Sequence, residues 1–119
     1  SMTPTIVEKN DKLFMVVGSP GGSTIITSVF QNIVNVIEYD MGMQESVSQS
    51  RFHHQWLPDK IRFEKTFDTI NFAALREKGY HIEQKEGSSI GRVDAILVLS
   101  NGKLEGGADP RGDDAASGY

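Results

Sequence analysis

Apolar residues in this chain gather in two arrangements, short unbroken runs and one long stretch at helical spacing, with polar and glycine-rich segments between them. The run Leu13-Phe14-Met15-Val16-Val17 is apolar at every position, which predicts a strand covered on both faces. Residues 5–8 precede it across Asn10-Asp11, a pair that tolerates left-handed backbone, so the two segments predict a hairpin. A second strand, 92–99, is again apolar on both faces at Ile96-Leu97-Val98 and leads through the turn Asn101-Gly102 into 104–106. From 24 to 39, Ile26, Val29, Phe30, Ile33, Val34 and Ile37 recur at helical spacing and predict a helix that packs one side of a sheet.

Asp40-Met41-Gly42 ends that helix, and a short helix is expected over 44–48. Residues 51–58 read as loop closed by Pro58, followed by a strand over 60–64. Asp68 or Thr69 is placed to cap a helix reaching about residue 78, where Gly79 stops it, and 81–85 alternates weakly as another strand. After Gly107 the chain is rich in glycine and aspartate; such a segment builds no core of its own and must either wrap over the domain or move freely. No internal repeat is visible. The pattern therefore predicts one α+β domain over 1–119, mainly antiparallel strands covered by helices, with 107–119 as an acidic tail.

The stretch Gly18-Ser19-Pro20-Gly21-Gly22-Ser23-Thr24 joins an apolar strand to an apolar helix, and that junction is an anion site in the making. Free N–H groups at a helix start point outward, the helix dipole adds partial positive charge, and glycine lets a ligand atom approach the backbone. In an enzyme such a turn serves as an oxyanion hole. The turn does not match the dinucleotide fingerprint and lacks the lysine of a nucleotide P-loop. The plain alternative is a tight turn with Ser23 as helix N-cap.

Four blocks in order give the turn a wider context: Met2-Thr3-Pro4-Thr5-Ile6-Val7; Gly18-Ser19-Pro20-Gly21-Gly22-Ser23; Ser50-Arg51-Phe52-His53-His54-Gln55-Trp56; and Asp109-Pro110-Arg111 with Gly118-Tyr119. Together they resemble the γ-glutamyltranspeptidase (glutathione hydrolase) family along essentially the whole chain. The resemblance implies a precursor that cuts itself into two subunits, the small one beginning with a threonine that is both new N-terminus and nucleophile. This chain resembles only the C-terminal part of that small subunit. The nucleophile and the residues that grip the glutamyl amino group then lie upstream, and the fragment is expected to be inactive alone.

The same resemblance implies part of the αββα sandwich of N-terminal-nucleophile hydrolases and a periplasmic or extracellular location. Its implied partners are the large subunit, the N-terminal part of the small subunit and a γ-glutamyl substrate such as glutathione. No metal or organic cofactor is implied. Gly21 and Gly22 match the family's oxyanion hole through their backbone N–H groups. Ser1 aligns with the second serine of a Ser-Ser-Met motif whose hydroxyls bind the substrate's α-carboxylate, unless it is a residue left by cloning with Met2 an introduced start. A third reading, Ser1 as an N-terminal nucleophile, is chemically competent, but the segment follows the nucleophile in the family.

Composition narrows the alternatives. The chain has 119 residues, which scales to roughly 6,400 Å² of exposed surface out of about 19,000 Å² unfolded, enough for one modest core. Net charge is −4, and residues 105–119 contribute −3 of it, with Glu105, Asp109, Asp113 and Asp114 against Arg111. The remaining bases are dispersed, so the footprint of a nucleic-acid binder is absent, and no stretch has the length of a membrane span. Zero cysteines exclude disulfides and thiolate metal sites.

His53 and His54 are adjacent and cannot converge on one metal from a strand, so they and Trp56 are expected to stabilise a loop, with Arg51 paired to an acid. Glu64, Glu86, Asp113 and Asp114 are expected on solvated faces, and Arg111-Gly112-Asp113 is an adhesion tripeptide by chance. Two non-catalytic readings stay open beside the enzyme: an anion- or peptide-binding module using the glycine turn, and a purely structural domain.

Overall fold

A computed structural model of the protein describes residues 2–118; Ser1 lies outside the described residues. The elements run β1 (Thr5–Lys9), β2 (Lys12–Gly18), α1 (Thr24–Ile37), α2 (Met43–Ser48), β3 (Phe52–His53), β4 (Ile61–Glu64), α3 (Phe72–Glu77), β5 (Ile82–Lys85), β6 (Asp94–Val98) and β7 (Leu104–Gly107). The first sheet is antiparallel throughout, in the order β1-β2-β6-β7. The second has the order β3-β4-β5, with β4 and β5 parallel across the connection that carries α3.

One face of the first sheet carries the main core. Met15, Val17, Ala95 and Leu97 alternate inward and meet Ile25, Val29 and Val36 of α1 and Met43 and Val47 of α2. A smaller core, Ile61, Phe63 and Phe72 with Phe67, Leu75 and Ile82, lies under α3, its Phe63 and Phe72 rings 4.5 Å apart. The other face of the first sheet is open in this chain, with Ile6, Ile96 and Leu104 exposed. Both two-faced apolar strands predicted from the sequence are present, but only one face of each is covered here.

The helix over 24–39 ends at Ile37, and it packs by a different stripe from the one its periodicity indicated. Ile25, Ser28, Val29, Asn32 and Val36 face inward, whereas Ile26 and Phe30 are 77% and 63% exposed. This helix is apolar around most of its circumference, so spacing alone does not select a face. Two buried polar residues complete the choice: Asn32 Oδ1 accepts from Ser46 Oγ of α2 at 2.8 Å.

Other departures are local. Phe52 and His53, expected in a loop, pair with Phe63 and Arg62 as β3. The side-chain amide of Gln31 in α1 stands in for a further strand, donating to Phe52 O at 2.8 Å and accepting from Phe52 N at 3.1 Å. Asn71 rather than Asp68 or Thr69 precedes α3, while Asp68 Oδ1 accepts from Ile70 N in a local turn. Gly42 precedes α2 with no side chain to cap it, and Glu105 of β7 accepts the Met43 N–H instead.

The tail wraps. Ala108 is held by Gln44 through a paired amide contact at 2.8 and 3.0 Å, and Asp109 is fully buried. Asp109 Oδ2 accepts from Val93 N at 2.6 Å and pairs with Arg51 at 2.8 Å; its Oδ1 accepts from Arg111 N and Nη1 at 2.9 and 3.0 Å. Glu64 is buried too, against the expectation of a solvated face. Its Oε1 accepts from Ile90 N at 2.9 Å and Arg111 Nε at 2.6 Å, its Oε2 from Arg51 N at 2.8 Å and from Arg111 Nη2. Arg51, expected to pair with an acid, does so, and its guanidinium also donates to Ile90 O and Val47 O.

Burial alone pushes the Asp109 carboxyl up, but the Val93 and Arg111 N–H groups and the Arg51 charge outweigh it and hold Asp109 below its ordinary value. For Arg111, burial is outweighed by Glu64 and Asp109, which raise it. For Arg51, burial and the Arg111 charge win and lower it.

Asp109→Ala in the full-length parent leaves Arg51 buried beside Arg111 without its acid and is expected to cost about 3–5 kcal/mol, measured by denaturant unfolding. A carboxylate held below its unfolded pKa stabilises fully above that value and loses the contribution as pH falls through the folded one. The stability gap between wild type and Asp109→Ala is therefore expected to be constant above about pH 5 and to shrink on acidification below about pH 3.9. Thermal midpoints of both proteins across pH 2–7 check this.

Candidate functional site

β2 delivers Gly18 to the end of the first sheet, and the chain turns through Pro20-Gly21-Gly22 into α1. Gly21 has φ +135° and Gly22 φ +59°, conformations that L side chains rarely adopt, so the turn requires glycine at both positions. A Cβ on Gly21 would stand 2.5 Å from Thr24 Oγ1 and 3.3 Å from Gly91 Cα, whereas one on Gly22 would meet nothing within 4 Å. Both glycines are exposed. Among the described residues, the N–H groups of Gly21, Gly22 and Ser23 donate to no protein acceptor. Ser23 occupies the N-cap position without a side-chain cap bond; the hydroxyl bond at this helix start runs from Thr24 Oγ1 to Gly21 O at 2.8 Å.

Two segments brace the turn from behind. Ser19 is fully buried, and its N–H donates to Met2 O at 2.9 Å, which places the start of the described chain beside the turn. Ser19 Oγ accepts from Arg92 N at 3.0 Å and donates to Pro20 O at 2.7 Å. Gly91, at φ +68°, lies so close that a Cβ there would collide with Ser28 Oγ and stand 2.9 Å from Ser19 Oγ. Arg92 is read in the sequence only as the first residue of a predicted strand; the isolated Gly91 just before that strand is the sequence signal that marks this brace.

The remaining candidates lie elsewhere. His53 is buried, its Nδ1 bonded to Thr27 Oγ1 at 2.8 Å, which joins β3 to α1, and its Nε2 to Gln55 Oε1 of the following loop at 2.9 Å, so both ring nitrogens are engaged. Trp56, expected to stabilise a loop with the two histidines, is exposed. No group of histidines and carboxylates suited to a metal ion occurs among the described residues. Arg111 is consumed by Glu64 and Asp109, so the Arg-Gly-Asp tripeptide presents no free arginine. A groove of about 520 Å³ runs over the polar face of the second sheet past His53, Arg62 and Glu83 and includes no residue of the glycine turn. Glu83 bridges Lys60 at 2.5 Å and Lys85 at 2.6 Å, and these two ammonium groups hold its carboxyl at about 2.

An antiparallel sheet with α1 and α2 on one face, beside a second sheet with α3 on it, forms part of the αββα sandwich of N-terminal-nucleophile hydrolases, and solved structures of that class superpose on it. The Helicobacter pylori γ-glutamyltranspeptidase, crystallised as a point mutant, matches with a TM-score of 0.85 at 51% identity, over 94% of this chain and 61% of that one. An acivicin-inhibited γ-glutamyltranspeptidase matches with a TM-score of 0.86 at 50% identity, over 96% of this chain and 62% of that one. The family model for γ-glutamyltranspeptidase matches residues 1–119, and the chain belongs to that family. The glutathione hydrolase proenzyme of Escherichia coli is 47% identical over 120 residues, spanning 100% of this chain, and that of Pseudomonas aeruginosa is 40% identical over 116 residues, spanning 94%. The chain spans 20% of the length of each of these relatives.

Gly91→Ala in the full-length parent forces a methyl into Ser28 and Ser19 at a left-handed position and is expected to cost at least about 2 kcal/mol. Gly102→Ala, at φ +81° with nothing within 4 Å of its Cβ, carries only the backbone penalty of about 1 kcal/mol. Paired denaturation curves for the two variants test the difference.

Proposed function

We propose that this chain is the C-terminal part of the small subunit of a γ-glutamyltranspeptidase, and that the Gly21 and Gly22 N–H groups form the oxyanion hole of the parent enzyme. The observation that carries the reading is a pair of adjacent N–H groups on exposed glycines, without protein acceptors among the described residues, at the start of a 14-residue helix. Donors already oriented toward a developing oxyanion stabilise it without reorganising during the reaction.

In the proposed reaction a threonine hydroxyl from the upstream segment attacks the γ-carbonyl of a γ-glutamyl amide, with its own α-amine taking the proton. The carbonyl oxygen gains negative charge and accepts from Gly21 and Gly22. Collapse breaks the C–N bond, the departing amine takes the proton, and the γ-glutamyl ester passes to water or to the amine of an amino acid or peptide. Ser1 is proposed to bind the substrate α-carboxylate, a role supported by the position of its neighbour Met2, whose carbonyl bonds to Ser19 beside the turn. The parent is proposed to act in the periplasm or cell exterior; none of the described helices is long and apolar enough to cross a membrane.

The exposed stripe of α1 and the open face of the first sheet support the view that further segments of the parent cover this chain. Its accessible surface is 7849 Å², against roughly 6,400 Å² for a compact monomer of this size.

The full-length parent is expected to hydrolyse a γ-glutamyl anilide, while rigorously purified 119-residue chain gives no turnover. Gly22→Val in the parent is expected to lower kcat by about 10²–10³. An unchanged rate in that variant, or saturable glutamate binding by the short chain alone, removes the oxyanion-hole assignment.

A further inference from the structure

Resting on that assignment, we infer that Ser19 and Thr24 are positioning residues, each aiming one N–H group of the oxyanion hole by holding the carbonyl of the same peptide unit. A trans peptide is planar, and its C=O and N–H point in opposite directions. The Gly21 N–H shares its plane with Pro20 C=O, and the Gly22 N–H shares its plane with Gly21 C=O. Among the described residues the cis bond is at Leu57-Pro58, so both of these units are trans. Fixing each carbonyl inward therefore turns the corresponding N–H outward.

Both carbonyls are held by hydroxyls. Ser19 Oγ donates to Pro20 O at 2.7 Å, and Thr24 Oγ1 donates to Gly21 O at 2.8 Å. The Thr24 N–H adds a longer bond to the same Gly21 oxygen, at 3.2 Å. Ser19 is itself oriented. Its Oγ accepts from Arg92 N at 3.0 Å, which leaves its proton for Pro20 O, and this approach of the Arg92 backbone depends on Gly91 having no Cβ. Both hydroxyl residues are buried, so water does not compete freely for either carbonyl. Glycines at 21 and 22 have the widest backbone freedom of any residue, and a pair of them left unheld samples peptide orientations that point the N–H groups elsewhere.

The isosteric change Thr24→Val deletes the hydroxyl and keeps the shape, and Thr24→Ser restores the hydroxyl. In the full-length, mature parent, single-turnover acylation by a γ-glutamyl anilide is expected to slow about 10- to 100-fold in Thr24→Val, less than the 10²–10³ for outright loss of a donor. The half-saturating substrate concentration is expected to move less than twofold, and Thr24→Ser to recover most of the rate. Ser19→Ala is expected to behave like Thr24→Val. A boronate analogue of the γ-glutamyl group, whose tetrahedral adduct presents an oxyanion, should lose affinity in Thr24→Val by about the factor lost in the rate constant over half-saturation.

Rates are taken per mature molecule, so a variant that matures poorly is still scored, and should Ser19→Ala yield no mature protein the Thr24 pair decides. Acylation within twofold of wild type in Thr24→Val, or equal impairment of Thr24→Ser and Thr24→Val, overturns the inference. A parent sensitive to Gly22→Val but indifferent to Ser19 and Thr24 overturns the positioning role alone; one indifferent to Gly22→Val overturns the oxyanion hole with it.

Discussion

Two arginines and two carboxylates packed out of water, Arg51, Arg111, Glu64 and Asp109, form the constraint on which the rest of this structure leans. Each charge taken into the interior loses several kcal/mol of hydration, so the cluster is tolerable only when complete. Its members and partners are drawn from well-separated places along the chain: Val47 at the end of α2, Glu64 at the end of β4, Ile90 and Val93 on the approach to β6, and the tail. The first part of a segment that composition marks as unable to build a core is thereby held through Asp109 and Arg111. The charges cancel in pairs, and backbone groups that no sheet or helix had already used fill most of the remaining hydrogen-bonding positions, leaving Arg51 Nε without a partner among the described residues.

The same cluster reaches toward the glycine turn through four residues. Ile90 is gripped by Arg51 and Glu64, and Val93 by Asp109, so the intervening Gly91 and Arg92 are stretched between two fixed points. Arg92 then supplies the N–H that orients Ser19, and Ser19 supplies the hydroxyl that holds Pro20. Tail, strand approach and turn form one continuous set of bonds, with little in it that can relax independently. For a pair of amides proposed to receive charge, such rigidity is the useful property, because reorganisation avoided beforehand lowers the barrier to the reaction.

What the chain leaves uncovered is as orderly as what it buries. The open face of the first sheet presents Ile6, Ile96 and Leu104, and the outer stripe of α1 presents Ile26, Phe30 and Ile37. Both are continuous with the core elements and both are apolar, the pattern of elements that sit between two layers. The structures on which this chain superposes are larger, and it covers 61% and 62% of them.

Local order was largely written in the sequence. The hairpin at Asn10-Asp11, the β2 and β6 runs, the long helix and the turn at Asn101-Gly102 all follow from side-chain period and from residues that tolerate left-handed backbone, which are properties of neighbours along the chain. The glycine turn was legible in part for the same reason, since two adjacent glycines between a strand and a helix permit positive φ, while the same residues also fit a plain tight turn. Tertiary structure alone decided which stripe of α1 faces inward, that Glu64 is buried, that two residues of an expected loop form β3, and that Glu105 caps a helix more than fifty residues away. Each of these depends on a partner distant in the chain whose charge or hydrogen-bonding group has no other outlet once water is excluded, and no local pattern records where that partner will be.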